Sequence, residues 1–164
     1  MTETLLVKVD HSSLKVNQAF IISLSILAFI LNASWLAGLV GLVMAIGTIL
    51  KTPGFGFIYR TILKPLGWVK PEILMDNPEP HRFAQGLGSA FLSAGTLALY
   101  WGAPALGWGL VWLVIALAAL NLFGGFCAGC MAYYWLGRLS VPGFYKAPPA
   151  GTFPGMRPRT RLEL

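Results

Sequence analysis

Residues Ala105 to Phe123 read ALGWGLVWLVIALAALNLF, nineteen positions without a charged side chain. At 1.5 Å per residue, a helix of this length nearly crosses the ~30 Å hydrocarbon core of a bilayer. Pro104 stands where a first helical turn accepts proline. The stretch reads as a membrane-crossing helix, and the remainder of the chain is consistent with that reading.

Of the 164 residues, 56% are hydrophobic and only 11% charged, whereas soluble domains carry about 25% charged residues. Three further segments are apolar enough to cross: about Asn17 to Leu31, Ser34 to Leu50 and Arg82 to Trp101. Four crossings form two hairpins with very short turns. All twelve basic residues then fall on one side. Lys8 and Lys15 precede the first segment. Lys51, Arg60, Lys64, Lys70 and Arg82 lie between or at the edges of the second and third, and Arg138, Lys146, Arg157, Arg159 and Arg161 follow the fourth. Cytoplasmic loops collect Lys and Arg. The expected fold is therefore all-α, an integral membrane four-helix bundle with both termini cytoplasmic, multi-pass in a plasma membrane.

The formal charge of +6 is accounted for by this retention of loops and by attraction to anionic lipid. No soluble basic face is left for nucleic acid, which is not expected as a partner. Met1 to Val16 lacks the apolar core of a signal peptide. No ionisable residue falls near a bilayer midplane, which argues against a proton- or ion-coupled transporter.

Between the second and third spans, GFIYRTILKPLG sets Ile58, Ile62 and Leu66 at four-residue spacing, the pattern of a short interfacial helix. A loop over the mouth of the bundle fits that segment equally well. Next, NPEPHRFAQGLG gathers Glu79, His81, Arg82 and Gln85 at the start of the third span. Pro80 and Glu79 suit a helix start there. Residues 1–140 form the membrane domain, and the Pro/Gly-rich residues 141–164 an extended cytoplasmic arm.

The two cysteines, Cys127 and Cys130, lie in GGFCAGCMAYYWL, where the fourth span runs out at the cytoplasmic interface. A reducing compartment disfavours a permanent structural disulfide. On a regular helix, side chains three apart have Cβ atoms roughly 5–6 Å apart, too far for the ~3.5–4.5 Å that a disulfide needs. Gly124, Gly125 and Gly129 are suited to break the helix and let it restart. Cys127 would then sit near a new helix N-terminus, where amides and dipole favour a thiolate. Packing as small hydrophobes is the other reading. A metal centre needs about four ligands, and only His11 and His81 add imidazoles, so neither metal nor cofactor is expected.

The runs NPEPHRFAQGLGSAF and LAALNLFGGFCAGCMAYYWL, with VDHSSLKVNQAF and GFGFIYRTILKPLG before them, resemble a bacterial membrane-protein family catalogued as a domain of unknown function, number forty-three ninety-five. The resemblance implies a four-helix inner-membrane fold and a shared cysteine motif. It also implies thioredoxin-like or rhodanese-like partners, and it groups Arg82 and Gln85 with the cysteines. The expectation is a cytoplasm-facing site of Cys127, Cys130, Arg82 and Gln85. Cys127 attacks, Cys130 resolves and an arginine favours the thiolate, in a thiol/disulfide or sulfane-sulfur relay. The alternative is an accessory subunit with inert cysteines, packed in a larger respiratory or photosynthetic membrane complex.

Overall fold

A computed structural model describes residues 6–158. Arg159, Arg161 and the last residues of the arm lie outside that range. The chain begins with strand β1 (Val7–Asp10), which leads directly into helix α1 (His11–Ile30) and, after a tight turn, α2 (Ser34–Ile49). A short helix α3 (Gly56–Ile58) runs on into a wider helical turn, Tyr59–Leu63. Strand β2 (Ile73–Asp76) precedes the long α4 (Pro78–Tyr100), followed by α5 (Pro104–Gly124) and α6 (Ala128–Arg138).

The four long helices pack in a closed ring, α1 on α2, α2 on α4, α4 on α5 and α5 back on α1. Ile21, Ala28, Val40, Met44, Leu92, Val111 and Val114 fill the space between them. Two helices, α1 and α5, are long and apolar enough to cross a membrane by length and composition, and α2 is apolar but shorter. Helix α4 starts earlier than its apolar stretch, at Pro78, because proline is accepted there and Glu79 lies in its first turn.

The all-helical expectation needs one correction. β1 and β2 pair antiparallel, from Val7 opposite Asp76 to Asp10 opposite Ile73. Four-residue strands 66 positions apart carry too little periodicity to be read in advance. The pairing matters because it fixes where two helices begin. Asp10 caps α1, its Oδ1 accepting from Ser12 N at 3.0 Å and from Glu72 N at 3.3 Å. Such a cap contributes about 1 kcal/mol. Asp10 Oδ2 accepts from the buried Tyr59 hydroxyl at 2.9 Å. An ion pair between Lys15 and Glu72 closes the same corner.

Gln85 joins three elements from the middle of this arrangement. Its Nε2 donates to Met44 O at 3.0 Å and Thr52 O at 3.2 Å, the carbonyls around the end of α2. Its Oε1 accepts from Gly54 N at 3.3 Å. Asn17 Oδ1 accepts from Phe55 N at 2.8 Å and so seats α3 against α1.

Candidate functional site

The site begins with a broken helix. α5 ends at Gly124, and Gly125 takes the left-handed conformation, φ +66°, at no steric cost for glycine. The chain turns through Phe126, and α6 starts with Cys127 as its N-cap residue in extended conformation. Cys127 Sγ accepts from Cys130 N at 3.2 Å. This geometry removes the obstacle posed by a regular helix. The Cα atoms are 5.2 Å apart and the two sulfurs are joined in a disulfide, where the compartment argument had favoured a reduced pair. Both cysteines are buried, at 5% and 3% exposure.

α6 then lies against α4 at very close range. A Cβ on Gly129 would stand 2.6 Å from Ala84 Cβ and 2.8 Å from Ala84 Cα. This contact brings the cysteines to His81, one turn before Ala84. His81 Nδ1 is 3.5 Å from Cys130 Sγ, and its Nε2 is 2.9 Å from Asp76 Oδ2. His11, at the start of α1, places its Nε2 3.1 Å from the same oxygen, though poorly aligned for a hydrogen bond. The two imidazoles meet edge to face, 5.6 Å between centroids.

Burial alone would push the Asp76 carboxyl up. The contacts from His11 and His81, with the Asn77 amide, outweigh it and hold the group well below the ordinary carboxylate range. Asp76 is therefore a carboxylate and can only accept hydrogen bonds. This assigns the proton of a neutral His81 to Nε2 and leaves the Nδ1 lone pair facing Cys130. Tyr134, on α6, closes the other side. Its hydroxyl accepts from Asn77 Nδ2 at 3.4 Å, and burial pushes the phenol up to about 12.

Two spaces adjoin the sulfurs. A slot of about 100 Å³ runs between α1, α4 and α5 from Cys127 and His81 past Gln18 and Asn121 to Phe91 and Val114. A smaller space of about 20 Å³ touches both cysteines, His81 and Tyr134. The arm covers the site from outside. Gly155 O accepts from Cys127 N at 2.7 Å, and Gly125 O from Arg157 N at 2.9 Å.

The expected site residues lie around adjoining spaces. Cys127 and Cys130 form its centre. Gln85 serves the end of α2 through the bonds described above. Arg82 lines a neighbouring cavity of about 430 Å³ together with His81, Gln85, Asp10, Tyr59 and Arg60, and Gln85 also lines the slot beside Cys127. Asp76, His11 and His81 complete the cluster around the cysteines, although none of them was among the expected site residues. His81 stood within the motif that carries the resemblance. His11 and Asp76 gave no signal, since their meeting depends on the β1–β2 pairing.

Fold and site together define a largely helical protein with a buried Cys-x-x-Cys held against an Asp–His pair. Residues 9–138 match the family model described as Domain of unknown function (DUF4395). The chain belongs to that family. No curated protein and no solved structure matches it.

Proposed function

We propose that this is a multi-pass membrane protein, four helices across the bilayer with both ends cytoplasmic, in which Cys127 and Cys130 exchange electrons with an external thiol, disulfide or persulfide. The observation that carries the chemistry is His81 between Asp76 and Cys130, with 2.9 Å on one ring nitrogen and 3.5 Å on the other. A nucleophilic thiol beside an oriented imidazole is the arrangement of an activated cysteine. The membrane reading is supported by large apolar side chains exposed on all four long helices, including Leu27, Leu42, Leu97 and Trp112, which lipid would cover.

In the reduced protein, the Cys127 thiolate is favoured by the α6 N-terminus and by Cys130 N–H. It attacks one sulfur of an external disulfide. The Cys127–substrate bond forms, the substrate bond breaks, and the first substrate thiolate leaves with a proton from water. His81 Nδ1 then takes the Cys130 proton, and Asp76 steadies the imidazolium. The Cys130 thiolate attacks Cys127 Sγ, closing the pair and expelling the second substrate thiolate, which accepts the proton from His81. Two electrons pass from the pair to the substrate. With a persulfide donor the same steps release hydrosulfide in place of the second thiolate.

His81→Ala tests this assignment in membranes, with a small aromatic disulfide as oxidant. General base catalysis is worth about 10²–10⁴-fold, so the resolving step should slow by at least about a hundredfold and the Cys127 mixed disulfide should accumulate. An unchanged resolving rate, or cysteines that never change labelling between oxidising and reducing conditions, would refute it.

A further inference from the structure

The geometry points to a zinc site that exists only when the pair is reduced, made by Cys127 Sγ, Cys130 Sγ and His81 Nδ1. His81 and the two cysteines offer donor atoms that all lie within 4.8 Å of one another. The Cys130 Sγ to His81 Nδ1 distance is 3.5 Å. Tetrahedral zinc, with Zn–S near 2.3 Å and Zn–N near 2.0–2.1 Å, sets a thiolate sulfur and an imidazole nitrogen about 3.6 Å apart. That pair is already at metal-sharing distance. Only the two sulfurs must separate, to about 3.8 Å, and opening the disulfide allows this.

The surroundings fit a metal as well as the donors do. His81 presents Nδ1 to the sulfurs while Asp76 holds Nε2 at 2.9 Å. A carboxylate on the far nitrogen of a ligating histidine fixes its tautomer and raises its basicity. Cys130 N–H donates to Cys127 Sγ, a bond that stabilises a thiolate ligand. Two thiolates and a neutral imidazole cancel Zn²⁺, so the ion and its three ligands together carry no net charge. Without an ion, two thiolates in the same place would repel one another and lack solvent. The space of about 20 Å³ against both cysteines and His81 is large enough for one water. Three protein ligands and an open fourth position filled by water is the pattern of reactive zinc sites, whereas structural ones are closed by four protein ligands.

Binding releases the two thiol protons and transfers no electrons. Oxidation of the pair to the disulfide withdraws both sulfur ligands and expels the ion. Zinc and an external disulfide therefore compete for one dithiol. This inference uses the residues of the proposed exchange but does not need exchange to occur.

The test uses the full chain in mild detergent. It is reduced anaerobically with a phosphine, freed of excess reductant and titrated with Zn²⁺ against a chromophoric chelator. Co²⁺ serves in parallel as a probe of thiolate coordination. The reduced protein should take up one Zn²⁺ per chain and the oxidised protein none, a comparison that needs no variant. Cys130→Ser should abolish the thiolate-to-Co²⁺ band. His81→Gln and Asp76→Asn should each weaken Zn²⁺ by about 10–100-fold, with thermal melting as the check that each is folded. Three results overturn the site: no uptake by the reduced chain, equal uptake by reduced and oxidised chains, or a folded His81→Gln that binds as tightly as the parent. Thiol labelling on the same zinc-free preparation reads exchange separately, so failure of one reading is distinct from failure of the other.

Discussion

A single carboxylate oxygen, Asp76 Oδ2, meets two histidines carried by different helices, His11 at the start of α1 and His81 in the first turns of α4. A second carboxylate, Asp10, performs a different task a short distance away. It receives the hydroxyl of Tyr59, and burial, followed by this bond, pushes that phenol up to about 12. Unfolded tyrosine titrates near 10. The folded state therefore holds the proton more tightly. Its contribution to stability is complete below about pH 10 and is lost as the pH rises towards about 12. Tyr59→Phe should lower stability at neutral pH by about 1–3 kcal/mol, the cost of leaving a half-buried carboxylate short of a donor. It should also flatten the alkaline loss in a melting series across that window. An unchanged alkaline slope would show that the phenol is not the titrating group.

Among the elements, the junction of α5, α6 and α4 decides whether the site exists. Gly129 lets α6 touch α4 at Ala84, which sets Cys130 against His81. Gly129→Ala should push the helices apart by roughly the depth of a methyl group, costing about 1–3 kcal/mol of overpacking. It should slow resolution by Cys130 while leaving Cys127 able to form a mixed disulfide. Trapping with an excess of small disulfide, followed by mass spectrometry, distinguishes the two steps. If resolution keeps its rate, Gly129 does not set the geometry.

Much of this level was legible in the amino-acid order. The apolar runs marked the four long helices to within about two turns at their starts, and the Gly124–Gly125 pair marked the break that lets α6 restart at Cys127. The run around Arg82 and Gln85 marked the right end of α4, and within it His81 is the side chain that reaches a sulfur; which face of a helix meets a distant segment is not encoded locally. Asp76 and His11 were hidden for a different reason. They reach the site through a strand pairing between residues 7 and 76, and no local pattern encodes so distant a partner.

For the molecule as a whole, the closed ring of helices exposes apolar side chains outward, among them Trp35, Leu113 and Phe123. On the proposed membrane reading, lipid would cover this surface. On the proposed orientation, with the basic residues cytoplasmic, proteolysis of inverted membrane vesicles should clip the arm beyond Arg138, and sealed cells should protect it. Cleavage in intact cells only would reverse the proposed orientation.

The covering segment around Gly155 also sets an order of events during synthesis. His11 is made before His81, which follows α2, and the cysteines emerge after all four long helices have been laid down. The carbonyl that accepts from Cys127 N belongs to Gly155, which is made after both cysteines. Domains form as their segments leave the ribosome, so the helices can pack before the cysteines have their cover. A chain cut short before Gly155 keeps its four long helices but leaves the cysteine loop open. Synthesis through Gly155 thus becomes a condition for a sheltered cysteine pair.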